Sequence, residues 1–173
     1  LGINYYSRAI LRSDAIPESE NLPREVHEAP DEARTDFKWE VHPESLDRLL
    51  RRIHSDYGPE QIIITENGCS YGTPPDEDGR IRDVRRRRFF HGHLLACHSA
   101  ISAGVPLSGF FGWSLMDNFE WAEGYSQRFG LTWVDYETLE RTPKDSFHWF
   151  SKSIRANGPL PLPEDETSDD VSG

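Results

Sequence analysis

Apolar and polar positions alternate along the chain with two different periods, and the switches between them mark the elements. Residues 1–6 alternate apolar with small or polar groups and end in Tyr5-Tyr6, which predicts a short strand. Residues 12–36 are acidic, contain proline and show no period, and read as a long loop. His42-Pro43-Glu44 then sets proline at a first helical position, and Leu46, Leu49, Leu50, Ile53 and Tyr57 follow at helical spacing until Gly58-Pro59. Residues 61–65 form a continuous β-branched run, the pattern of a strand buried on both faces of a parallel sheet.

After a polar loop at 70–80, Asp83 is placed to cap a helix carrying Phe89, Phe90, His93, Leu94, Cys97 and Ile101 and ending near Gly104. Residues 109–115 read as a third buried strand that runs into the loop 116–121, and 129–134 as a short strand or hairpin arm. Thr142-Pro143 supplies a cap and a first-position proline for a last helix with Phe147, Phe150 and Ile154, stopped by Asn157-Gly158. The expected organisation is thus one folded segment, 1–158, and a Pro-rich then acidic tail, 159–173, expected to be disordered. No internal repeat is visible.

Strands alternating with helices predict an α/β fold with a parallel sheet and helical crossovers. Three strands do not close a barrel, and an eight-stranded (β/α) barrel takes about 250 residues. The 173 residues therefore read as part of a larger sheet, which agrees with a start in an apolar run without an initiator Met.

Charge and composition narrow the partners. With 30 Asp+Glu against 19 Lys+Arg, the formal charge of −11 argues against a phosphate-backbone partner, so no nucleic acid is expected. No run approaches the roughly 18 apolar residues of a membrane span. Cys69 and Cys97 lack metal-ligand spacing and read as free thiols, which with the acidic balance points to a cytoplasmic setting. The basic run Arg85 to Arg88 reads as a solvated face.

Candidate chemistry gathers at strand ends. Glu66 directly follows the Ile-rich strand, at the end where parallel sheets place their sites. Trp113, Asp117, Asn118, Glu120 and Trp121 cluster after the next strand, and aromatic faces beside carboxylates suit sugars. Cys69, beside Glu66, reads as a passive small residue.

These residues carry a resemblance. LGINYY at 1–6, FKWEVHPESL at 37–46, ITENG at 64–68 and WSLMDNFEWAEGYSQRFGL at 113–131 resemble the C-terminal part of family 1 glycoside hydrolases, the β-glucosidase family, over residues 1 to about 156. The resemblance implies the last strands, six to eight, of a (β/α)8 (TIM) barrel that hydrolyses terminal β-D-glucosides with retention through a covalent glycosyl-enzyme. It makes Glu66 the nucleophile and Tyr6 the hydrogen-bond donor that orients it. Glu120 and Trp121 match a pair that binds remote hydroxyls of the glycone sugar, Trp113 a stacking platform, Phe129 an apolar wall and Trp39 an aromatic flanking the aglycone. Asn4 is placed nearby, open between a site residue and a strand-end hydrogen-bonder; core packing for Trp113 and helix capping for Trp39 also stay open.

Phe119-Glu120-Trp121 favours a neutral sugar over a 6-phosphorylated one, because a carboxylate repels a phosphate. No metal or organic cofactor is implied. The family's acid/base Glu motif has no counterpart in this sequence, so the chain alone is expected to be inactive. Its exposed sheet edges would pair with the missing N-terminal barrel segment or self-associate. A weak sugar-binding module and a non-catalytic assembly fragment remain the other readings.

Overall fold

The computed structural model describes residues 1–11, 13, 15 and 29–166; most of the loop expected at 12–36 and the end of the tail lie outside them. Three parallel strands, β1 (Gly2–Asn4), β2 (Ile62–Asn67) and β3 (Leu107–Gly112), lie side by side in chain order. The crossovers carry α1 (Pro43–Tyr57) and α2 (Val84–Ser102). After β3 comes an antiparallel hairpin, β4 (Thr132–Val134) with β5 (Arg141–Pro143), and then α3 (Asp145–Ala156). Among the described residues no helix is long and apolar enough to cross a membrane.

One face of the sheet is covered. Ile3, Ile62 and Ile64 pack against Leu46 and Leu50 of α1 and Ala96, Cys97 and Ala100 of α2. A second cluster joins Phe89 and Phe90 of α2 to Trp149 and Phe150 of α3, with Cys69, Tyr71 and Leu131. The helix ends follow the sequence signals: His42 Nδ1 accepts from Ser45 N at the start of α1, and Gly58 and Asn157 take left-handed conformations after α1 and α3.

Among the described residues the other face is uncovered, and here the expectation of strands buried on both sides is corrected. Asn4, Thr65 and Phe111 point away from the helices and are exposed, Phe111 to 61%. An Ile-rich run marks a parallel strand, but it does not tell whether one face or both are covered.

Three local expectations also change. Asp83 stands at the start of α2, but its buried carboxylate takes the Ser146 N–H at 2.9 Å and the Ser146 hydroxyl at 2.5 Å, capping α3 from a distance. Thr142-Pro143 belongs to β5, paired with Trp133 and Thr132, so α3 begins two residues later with Lys144 as its cap position. The basic run is solvated only in part: Arg85 is exposed, but Arg86 is wholly buried, donating to the carbonyls of Cys69, Tyr71 and Arg128, and Arg87 is buried and pairs with Asp145 and Glu166. The Cys69 and Tyr71 carbonyls, which meet no backbone N–H among the described residues, are satisfied by these donors.

Packing also continues past residue 158. Leu160 and Leu162 lie on the second cluster, and Trp149 Nε1 donates to the Pro161 carbonyl at 3.3 Å. Residues 167–173 lie outside the described residues.

Candidate active site

Glu66 is delivered to the C-terminal end of the central strand by irregular register. Shifts between Ile3 and Asn4 and between Ile64 and Asn67 break the even pairing at this end, as bulges do when they re-aim a side chain. Tyr5 N donates to the Glu66 carbonyl at 2.9 Å, and the Tyr6 phenol donates to Glu66 Oε2 at 2.8 Å. Burial, then the hydrogen bond to Glu66 and the charges of Glu66 and Glu120, push the Tyr6 phenol far above its usual pKa. Tyr6 therefore keeps its proton and stays a donor.

The residues after Glu66 are locked. Buried Asn67 donates from Nδ2 to the Tyr5 carbonyl at 2.8 Å, and Trp113 N donates to the Asn67 carbonyl at 2.7 Å. Gly68 faces the Trp113 carbonyl so closely that a Cβ would lie 1.8 Å from its oxygen. Cys69 is fully buried and its thiol is pushed up to about 12 by that burial, so it holds no reactive thiolate.

An aromatic wall stands beside the carboxylate. Trp39 lies 5.3 Å from Tyr6 and 5.9 Å from Phe129, measured between ring centres, and Tyr6 meets Phe129 edge-on at 6.2 Å. Trp39 thus packs in this wall, while His42 caps α1. Phe37, which sequence reasoning missed, lies tilted 4.4 Å from Trp39 and 6.1 Å from Phe129. The signal was the F-x-W spacing: Lys38 takes φ 63° between them, and the Thr35 and Trp39 backbones close the turn at 2.8 Å.

The remaining candidates are less tightly gathered. Asn4 pairs in register with Glu66, but its Oδ1 accepts from the Thr65 hydroxyl at 2.6 Å. Trp113 is half-buried and joins none of the ring pairs among the described residues. Glu120 is half-buried and close enough to act on the Tyr6 phenol, whereas Trp121 is 82% exposed on a short turn at φ 41°.

Two members of the sugar-facing cluster expected after β3 turn inward instead. Asn118 donates to Ser114 Oγ and the Met116 carbonyl, both at 3.0 Å. Asp117 is buried and meets Lys144 Nζ at 3.0 Å and Arg128 Nη1 at 2.7 Å. The Arg128 guanidinium lies 3.4 Å above the Trp133 ring. Burial, reinforced by the charge of Arg86, lowers Lys144 to about 8, with Asp117 pulling the other way. Sequence spacing alone could not separate Asp117 and Asn118 from Glu120, because all three follow one strand within four residues.

The arrangement is a strand-end carboxylate with one phenolic donor, set against an aromatic wall. Known proteins are similar to this chain over most of its length. The beta-glucosidase A of Thermotoga maritima is 41% identical over 159 residues, which cover 91% of this chain and 34% of that protein. The beta-glucosidase of Agrobacterium sp. is 41% identical over 150 residues, 87% of this chain and 32% of that protein. A structure of the family 1 β-glucosidase from Thermotoga maritima in complex with isofagomine lactam matches with a TM-score of 0.81 at 40% identity, covering 91% of this chain and 34% of that one. The chain thus spans about a third of the length of these relatives. The family described as Glycosyl hydrolase family 1 matches residues 1–159, and the chain belongs to it.

Proposed function

We propose that this chain carries the nucleophile side of a retaining β-glucosidase site, on strands six to eight of a (β/α)8 barrel. The observation that carries the reading is the Tyr6–Glu66 hydrogen bond at the C-terminal end of the central strand. In the first step the ionised Glu66 carboxylate attacks the anomeric carbon and the bond to the leaving oxygen breaks. That oxygen takes its proton from a carboxylic acid about 5–5.5 Å away, and water later hydrolyses the glycosyl ester. The second carboxyl comes from a segment outside this chain, which joins at the unpaired outer edges of β1 and β3.

Glu120, Trp121 and Trp113 face the glycone in this reading, with Asn4 beside them. Trp39 and Phe129 line the leaving-group side. A neutral β-glucoside suits Glu120, whereas a 6-phosphate would be repelled by it.

The test combines the chain with the N-terminal two thirds of the Thermotoga maritima relative and follows a dinitrophenyl β-glucoside. Glu66→Ala lowers turnover by at least about a thousandfold, as loss of a nucleophile does. Azide then restores reaction and yields the α-glucosyl azide, since the small anion attacks from the side vacated by Glu66. Hydrolysis that survives Glu66→Ala, or an azide product of β configuration, contradicts the assignment.

A further inference from the structure

The segment that carries Glu120 and Trp121 leaves β3 at Trp113 and returns at Phe129, and its two ends are clasped. Ser114 N donates to Phe129 O, Leu131 N to Ser114 O, Thr132 N to Leu115 O and Asp117 N to Thr132 O, at 2.8–3.1 Å. Between the clasp and the exposed tip, the backbone bonds of residues 120–126 are local to the segment.

One side chain gathers the whole clasp. Asp117 Oδ1 accepts from Gly130 N at 2.8 Å and Lys144 Nζ at 3.0 Å, and Oδ2 accepts from Arg128 Nη1 at 2.7 Å and Val134 N at 3.4 Å. Lys144 Nζ also donates to the Gly130 carbonyl at 2.7 Å. Gly130 passes so near that a Cβ would sit 2.1 Å from Asp117 N. Both oxygens of a wholly buried carboxylate on the outgoing segment are committed to donors from the returning segment, the hairpin and the start of α3.

We propose that Asp117 is the positioning residue of the glycone limb, fixing where Glu120 and Trp121 stand by tying the two ends of residues 118–128 to Lys144. The proposal deepens the reading of Glu120 and Trp121 as glycone-binding groups and rests on it. Asp117 touches no sugar; it acts through the limb.

Asp117→Asn tests it with almost no change of shape, because one oxygen becomes an amide that must face a donor on either side. In the full chain, amide hydrogen exchange over residues 118–126 speeds up about tenfold while α1 is unchanged. Equal acceleration everywhere, or none in the limb, overturns the proposal. Should Asp117→Asn fail to fold, Lys144→Met, which leaves the Arg128 contact, is read in the same way.

The second readout separates positioning from mere stability. In the complemented enzyme, the preference in kcat/KM for a β-glucoside over its 4-deoxy counterpart falls about tenfold in Asp117→Asn, because only the remote hydroxyl contact is lost. Equal loss on both substrates overturns the proposal. Glu120→Gln is the control: an unchanged preference there refutes the glycone assignment itself, and the exchange measurement still judges the tie.

Discussion

His93 shows what burial does to a single side chain in this fold. It is wholly buried in α2, stacked 4.0 Å from Phe89, with Nδ1 2.7 Å from the Phe89 carbonyl, so Nδ1 carries the proton, and Nε2 has no hydrogen-bond partner among the described residues. Burial pushes its pKa down to about 4; the Phe89 carbonyl and Glu44 pull upward and His42 downward. Between pH 6.5 and 4 the unfolded chain binds a proton that the folded chain refuses, so stability falls as pH drops through that window, by roughly 3 kcal/mol from this group. His93→Leu removes that slope in urea melts at pH 6.5 and 4.5; an unchanged slope would refute the assignment. Tyr6→Phe makes the complementary case, keeping the ring in the aromatic wall and deleting the bond to Glu66. Stability changes by less than about 1 kcal/mol, while formation of a glycosyl adduct at Glu66 slows by about tenfold or more, since a bond to a charged acceptor is lost. Because the phenol keeps its proton at every working pH, the slowing is the same at pH 6 and pH 9.

At the level of elements, the close approach of the turn after β2 to the segment leaving β3 decides whether the site assembles. Gly68→Ala drives a methyl into the Trp113 carbonyl, backbone against backbone, and costs more than about 3 kcal/mol in denaturant melts. Gly79→Ala meets open space and carries only the strain of φ 75°, about 1–2 kcal/mol. Equal costs at the two positions would show that the close approach is not real. The elements themselves were largely legible. Leu46, Leu49, Leu50 and Ile53 mark α1 by period alone, and Ile62 to Ile64 mark a parallel strand. Legibility ended where a distant partner decides. Asp83 looks like a cap for its own helix, and only the fold brings Ser146 to it. Arg85 to Arg88 look solvated until loop carbonyls arrive over Arg86. Within the candidate site, the Tyr6–Glu66 hydrogen bond was readable from the motifs, Phe37 was hidden in a turn, and Asp117 differed from Glu120 only in the direction it faces.

On the scale of the whole molecule, a sheet face uncovered and two sheet edges unpaired among the described residues shape behaviour in solution. Phe111 is exposed beside Thr65 and Asn4, and Leu115, Met116, Phe119 and Trp121 are exposed near the same end. Such surfaces associate, so the chain is expected to sediment faster as its concentration rises, and Phe111→Lys to reduce that dependence. A monodisperse monomer at all concentrations would contradict this. The central claim, that Glu66 is the nucleophile and this chain holds its half of the site, meets its most direct test in covalent labelling. The chain, alone and with the N-terminal two thirds of the Thermotoga maritima relative, is incubated with a dinitrophenyl 2-deoxy-2-fluoro-β-glucoside and examined by intact mass and peptide mapping. The leaving group departs without a proton, and the fluorine slows release of the ester. The account predicts one fluoroglucosyl group on the peptide containing Glu66, at the latest once the complementing segment is present; label on any other residue, or none in the complemented enzyme, would contradict it.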